Sequence, residues 1–287
     1  MRVLRPTTAD DFLRLSESLR AREPFRTNIM GSVATSIATG NATYLEYFWW
    51  VVEDDSGEVT GIAMRTAPHG LVLSPMPAEA AAAIARVVSI IDDILPDVAG
   101  PTAVVATFLN EYKRTNSEGS LRASRLEGQQ LLYALGELVS VDISGSMIRA
   151  VPEDFDFVLN WYEEFDREAR LHMPDLSSSV RSILGRNSLR FWVVDNERVS
   201  MAGFAPLVET PSGTVGRIGP VYTPVQHRRK GYAGGLTAAL SQELLDLGAK
   251  VMLYTDAANP TSNGVYQRIG FEQIDQNEKV AFLAADV

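Results

Sequence analysis

Apolar and polar positions recur along this chain with a long period. The run Trp50-Val51-Val52-Glu53 is aromatic and β-branched, gives way to the polar Asp54-Asp55-Ser56-Gly57, and resumes at Gly61-Ile62-Ala63. That pattern predicts a β-hairpin. It returns as Trp192-Val193-Val194-Asp195, then Asn196-Glu197-Arg198, then Gly203-Phe204-Ala205, and Trp50 and Trp192, like Gly61 and Gly203, stand 142 positions apart. A third strand, Val72-Leu73-Ser74-Pro75, matches Val221-Tyr222-Thr223-Pro224 at 149 positions, after a longer turn over 209–214 that contains Pro211 and Gly213. Proline and glycine there mark a chain reversal. Ala103-Val104-Val105-Ala106-Thr107 matches Val251-Met252-Leu253-Tyr254-Thr255 as a fourth strand. Upstream, Leu4-Arg5 and Ile148-Arg149 each lead to an acidic helix start, at Asp10-Asp11 and Glu153-Asp154, where carboxylates oppose the helix dipole.

Five matches in one order predict a tandem duplication. Its copies cover 1–140 and 147–287, joined by the small, polar stretch Ser140-Val141-Asp142-Ile143-Ser144-Gly145-Ser146. The copies differ just after the third strand. The first continues Met76-Pro77-Ala78-Glu79, without glycine or a basic residue, whereas the second continues Val225-Gln226-His227-Arg228-Arg229-Lys230-Gly231-Tyr232-Ala233. Leu236, Leu240, Leu244 and Leu247 then fall on one face of a predicted helix closed by Gly248. A basic, glycine-bearing turn at a helix start can cradle a pyrophosphate. The first-turn N–H groups and the dipole favour an anion, Arg228, Arg229 and Lys230 add charge, and glycine lets the backbone approach it.

Composition narrows the possibilities. At 287 residues the chain suits two domains, and 46% hydrophobic with 22% charged residues is ordinary globular composition. A net charge of -10 disfavours nucleic acid and anionic membranes as partners. There is no cysteine, and His69, His172 and His227 are scattered, so no metal is expected. The N-terminus lacks a signal-like apolar stretch and no run is long enough to cross a bilayer, which leaves a cytoplasmic location as the expectation. Neither a P-loop string nor a Gly-x-Gly-x-x-Gly is present.

The string Arg228-Arg229-Lys230-Gly231-Tyr232-Ala233 resembles the Arg/Gln-x-x-Gly-x-Gly/Ala signature of the GNAT N-acetyltransferases. Asn259-Pro260-Thr261-Ser262-Asn263-Gly264-Val265-Tyr266-Gln267-Arg268-Ile269-Gly270-Phe271 resembles that superfamily's second hallmark, an Asn-led helix carrying a tyrosine and closing in Gly-Phe. The resemblance covers the last 140 or so residues directly and the first half through the repeat. Such tandem arrangements are similar to mycothiol synthase and, more loosely, to the glycine N-acyltransferase group.

The resemblance implies an α+β fold (mixed α/β) of two tandem GNAT-like domains, each a mostly antiparallel twisted sheet flanked by helices, with a degenerate first copy. It also implies acetyl-CoA as co-substrate, bound by main-chain groups of Val221, Tyr222 and Thr223, by the turn Arg228, Arg229, Lys230, Gly231, Tyr232 and Ala233, and by Asn259 and Asn263. Tyr266 is the implied general acid for the leaving thiolate. Asn259 also reads as an N-cap with Pro260 in the first helical position. The base is unmarked, with Glu163, Glu164, Glu168, Glu209 and a water chain as the candidates. The aromatic segment Phe155 to Phe165 is expected to help line the acceptor site, with one of the adjacent Trp161 and Tyr162 facing away from the core. The expected activity is transfer of an acetyl group to a primary amine of a small molecule. The alternatives are a protein or peptide acceptor, or a non-catalytic coenzyme A sensor.

Overall fold

The first half of the chain runs β1 (Arg2–Leu4), α1 (Ala9–Leu15), α2 (Glu17–Arg22), α3 (Asn28–Ala38), β2 (Tyr47–Glu53), β3 (Val59–Thr66), β4 (Leu71–Leu73), α4 (Ala78–Ile91), β5 (Asp97–Pro101), α5 (Thr102–Thr115) and β6 (Ser124–Leu135). The second runs β7 (Ser146–Arg149), α6 (Phe155–Ala169), α7 (Leu176–Gly185), β8 (Leu189–Val194), β9 (Glu197–Phe204), β10 (Val208–Thr210), β11 (Gly213–Tyr222), α8 (Tyr232–Asp246), β12 (Lys250–Asp256), α9 (Pro260–Arg268) and β13 (Phe271–Phe282). Apart from one additional helix in the first half and the short β10 in the second, the order is the same. The structure, a computed structural model, describes residues 1–91, 95–115, 123–171, 173 and 175–283, so His172 lies outside the described residues.

All strands join one sheet in the order β1-β2-β3-β4-β5-β13-β6-β12-β11-β9-β8-β7, with β10 paired to β11. Among the described residues the parallel pairs are β4 with β5 and β11 with β12, at corresponding places in the two halves. The halves exchange their last strands. β6 precedes the joining segment 140–146 yet lies between β12 and β13, and β13, from the second half, pairs with β5. The expected division of the chain is therefore crossed by two strands of the sheet.

Strand alternation sends successive side chains to opposite faces, and the two tryptophans of β2 show its use. Trp49 packs with Phe12, Met30 and Ile62 beneath α1 and α3, while Trp50 packs with Leu71, Ile84 and Phe108 beneath α4 and α5. In the second half, Val158, Trp161, Val180 and Phe191 form the core under α6 and α7, and Leu236, Leu240, Val251 and Tyr266 the core under α8 and α9. Each such buried side chain contributes roughly 1.5–3 kcal/mol of hydrophobic free energy.

Three expectations are corrected. Ala103-Val104-Val105-Ala106-Thr107 is helix, not strand; Val104, Val105 and Phe108 recur at helical spacing and bury one face of α5, and the counterpart of β12 is β5. Trp161 and Tyr162 are both buried, because α6 lies between the sheet and α7 and so has two covered faces. Leu247 follows the end of α8 and is 60% exposed. No helix among the described residues is long and apolar enough to cross a membrane.

Candidate active site

β11 and β12 run side by side from Val215 opposite Lys250 to Ile218 opposite Leu253, and there the ladder stops. Both strands continue. β11 stays on β9 through Val221 opposite Ala202 and Tyr222 opposite Met201, after a bulge at Gly219-Pro220. β12 stays on β6 as far as Asp256 opposite Gln130. The two parallel strands thus separate into a wedge, and beyond Ile218 the edge of β11 that faces β12 has no strand partner. Such main-chain groups must find a ligand or water. Val221, Tyr222 and Thr223 lie on this edge, as the sequence resemblance implies.

The first half has no such opening at the corresponding place. There β4 ends against β5 so closely that a Cβ on Gly100 would lie 2.7 Å from the Leu73 carbonyl oxygen. Beyond Ser74, whose hydroxyl accepts from the Ile62 N–H at 2.9 Å, Pro75 and Pro77 flank Met76 and have no N–H to offer an anion.

From the wedge the second half turns through Thr223 and Pro224 into α8. Arg229 and Gly231 both take left-handed conformations, with φ of 62° and 84°. Gly231 caps α8, whose first bond runs from the Gly235 N–H to the Gly231 carbonyl. The N–H groups at 229 to 234 make no hydrogen bond among the described residues, which leaves a cradle of free donors at the positive end of a helix. Arg229 and Lys230 are exposed beside it, and Tyr232 carries the Lys230 ammonium 5.9 Å over its ring. This donor set fits a pyrophosphate. Arg228 is turned away: its Nε donates to the Thr223 carbonyl at 2.7 Å and its Nη2 to Glu168 at 2.5 Å. Gly231 also has a role the sequence does not reveal, because a Cβ there would lie 2.6 Å from Ile143 of the joining segment.

On the sheet face opposite α8, the Tyr222 hydroxyl donates to Glu164 Oε2 at 2.8 Å, and Glu168 follows one helical turn later. Burial, and the hydrogen bond to Glu164, push the Tyr222 phenol well above its ordinary range, so it remains a donor. Glu164, Arg167, Glu168, Tyr222, Val225 and Gln226 line a cleft of about 210 Å³. Of the four glutamates left open by sequence, Glu164 and Glu168 stand here, Glu163 is exposed, and Glu209 lies on β10. Helical spacing puts Glu164 and Glu168 on one face; their meeting with Tyr222 is tertiary.

α9 closes the other side. Asn259 caps it, accepting from the Ser262 N–H at 3.1 Å, with Pro260 in the first turn. Asn263 donates to the Asp256 carbonyl at 3.3 Å, which ties α9 to the end of β12, and its Oδ1 is buried without a partner. Tyr266 is buried against Phe271, with ring centroids 6.1 Å apart, and its hydroxyl makes no hydrogen bond among the described residues. Burial pushes its pKa up to about 12, so the group is protonated at neutral pH. His227 is buried beside the turn, 3.4 Å from Glu197. No group of three His, Cys, Asp or Glu placed to hold a metal occurs among the described residues.

The FR47-like protein family matches residues 205–280, the stretch that holds the wedge, the glycine turn and α9. No curated protein matches the chain. A GNAT-family acetyltransferase from Colwellia psychrerythraea superposes over 99% of this chain and 100% of its own, with a TM-score of 0.60 at 10% identity. A GCN5-related N-acetyltransferase from Sphaerobacter thermophilus does so over 99% and 98%, with a TM-score of 0.62 at 13% identity. A tandem GNAT protein from the clavulanic acid biosynthesis pathway covers 99% and 100%, with a TM-score of 0.56 at 12% identity. The chain therefore has the tandem GNAT acetyltransferase fold, and its FR47-like portion is the half in which the parallel strands open and the glycine turn follows.

Proposed function

We propose that the protein is an acyl-CoA-dependent N-acyltransferase that moves an acetyl group from acetyl-CoA to a primary amine of a small molecule, with one working site per chain in the second half. The observation that carries this reading is the wedge after Ile218 and Leu253, placed directly before the free N–H cradle at 229 to 234. The cradle, with Arg229, Lys230, Gly231, Tyr232 and Ala233, would hold the pyrophosphate. Main-chain groups of Val221 to Thr223 would pair with the pantetheine arm, and an N–H aimed at the thioester oxygen would stabilise the developing oxyanion. Arg228 supports the turn through Thr223, Asn259 caps α9, and Asn263 ties α9 to the end of β12.

The reaction is direct. The unprotonated amine attacks the thioester carbonyl carbon, a C–N bond forms, and the C–S bond breaks. The sulfur takes a proton from the Tyr266 hydroxyl, whose protonated state and lack of an internal partner suit that task. The proton lost from nitrogen passes to Glu164, directly or through water, and the phenol is reprotonated from solvent. Titration calorimetry with acetyl-CoA tests the binding half of the reading: one site per chain, lost on Gly231→Glu in a folded variant, is expected. Two equivalent sites, or unchanged affinity in that variant, would place the cofactor elsewhere.

A further inference from the structure

Arg217 is the last residue but one before β11 leaves β12, and it points to the face opposite α8. Val215 on the same face packs with Phe25 and Tyr254, whereas Ile218 and Val221 pack on the α8 side. A strand advances about 3.3 Å per residue, so Arg217 stands at the mouth of the wedge. Its Nε donates to Asn28 Oδ1 at 3.1 Å, across the two halves of the chain. Among the described residues, no other hydrogen bond and no carboxylate serves the guanidinium. Among the other enclosed arginines, Arg190 is paired with Glu243 and Arg26 with Glu23 and Asp275, whereas Arg20 and Arg186 form no ion pair and donate to the Leu13 carbonyl and the Ser182 hydroxyl; Arg217 differs from these two in standing at the mouth of the wedge.

Arg217 is half-buried, and burial draws its pKa below the ordinary value. A guanidinium stays charged in such a place and makes an uncompensated cation. Beside it, Asn28 is 0% exposed and its Nδ2 has no partner. A planar fork of free N–H donors next to an unpartnered amide donor lacks acceptors, and a carboxylate supplies two oxygens of matching geometry. The pyrophosphate cradle lies on the other face, so the cofactor's own phosphates do not answer this need.

We propose that the acyl acceptor is a small amine that also bears a carboxylate, of the size and kind of an amino acid, with the carboxylate held by Arg217, which Asn28 from the first half orients, and the amine directed into the wedge. This rests on the acyl-transfer reading above. It gives the first half, which lacks a cofactor cradle, a part in the site.

The test compares amino acids with their carboxamides and with the matching simple amines. Two readouts are taken: coenzyme A release with acetyl-CoA, and calorimetric binding of the same compounds in the presence of coenzyme A. Wild type is expected to favour the carboxylates by about 10- to 100-fold in kcat/KM, and Arg217→Met to bring that ratio near one while leaving KM for acetyl-CoA unchanged. Asn28→Asp supplies an internal carboxylate to Arg217, so it should keep or raise Tm while removing the preference, which guards against a misfolded Arg217 variant. Turnover without a carboxylate preference, or a preference that survives both substitutions, overturns the pocket and leaves acyl transfer standing. Carboxylate-dependent binding without turnover on any amine supports the pocket and removes the acyl-transfer reading. Neither binding nor turnover overturns both.

Discussion

Tyr222 and Glu164 are joined by a 2.8 Å hydrogen bond from phenol to carboxylate, one strand position before the chain turns toward the phosphate cradle. If Glu164 receives the amine proton, Glu164→Gln should lower turnover by on the order of 10²-fold at neutral pH while acetyl-CoA affinity holds. Tyr222→Phe should cost less than 10-fold in turnover and about 1 kcal/mol of stability, from one lost hydrogen bond. Steady-state rates and denaturant titrations on both variants decide it, and a Glu164→Gln enzyme of wild-type rate would pass the base role to another group or to water.

Gly231→Ala should destabilise the protein by about 1–2 kcal/mol, because φ is 84° and the new Cβ would press on Ile143 at 2.6 Å. Ile143→Ala should restore part of that loss, the part that is contact rather than backbone strain. A double-mutant cycle in urea measures the coupling; strict additivity would show that the joining segment does not pack on the turn.

This pair also marks what a sequence can disclose. The glycine turn and the Asn-Pro helix are local, since their residue types state the backbone conformation required, and both are legible from their strings. The contact of Ile143 with Gly231 joins positions 88 apart. The wedge arises where one ladder ends, and no residue type announces that Ile218 and Leu253 are the last pair. The exchange of β6 and β13 depends on pairing partners far along the chain, which no local pattern states. Ala103 to Thr107 reads as a strand by its likeness to Val251 to Thr255, but its helix is decided by the face that Val104, Val105 and Phe108 bury together. Arg217 and Asn28 meet only because α3 of the first half lies against the sheet of the second.

Tyr266→Phe should slow acyl transfer by about 10²- to 10⁴-fold with nearly unchanged acetyl-CoA affinity, and the defect should ease for thioesters with better leaving groups. The substitution removes one hydroxyl from a packed site and leaves the ring in contact with Phe271. Full activity would reduce Tyr266 to a core residue.

The same phenol has a pH signature. Its folded pKa of about 12 exceeds the ordinary value of 10, so the stability it contributes is complete below pH 10 and is lost as pH rises from 10 to about 12. That loss is roughly 2–3 kcal/mol for this group. Urea unfolding at pH 8 and near pH 11.5 should show a larger decline for wild type than for Tyr266→Phe, the other tyrosines being common to both. Equal declines would mean that Tyr266 titrates as an exposed phenol.

The most direct test of the account is to mix the protein with acetyl-CoA and a panel of small primary amines, and to follow coenzyme A release together with the mass of each amine. The account predicts amine-dependent release of coenzyme A and a matching acetylated product, both abolished by Gly231→Glu. Saturable acetyl-CoA binding with no acetylated product from any amine would contradict it.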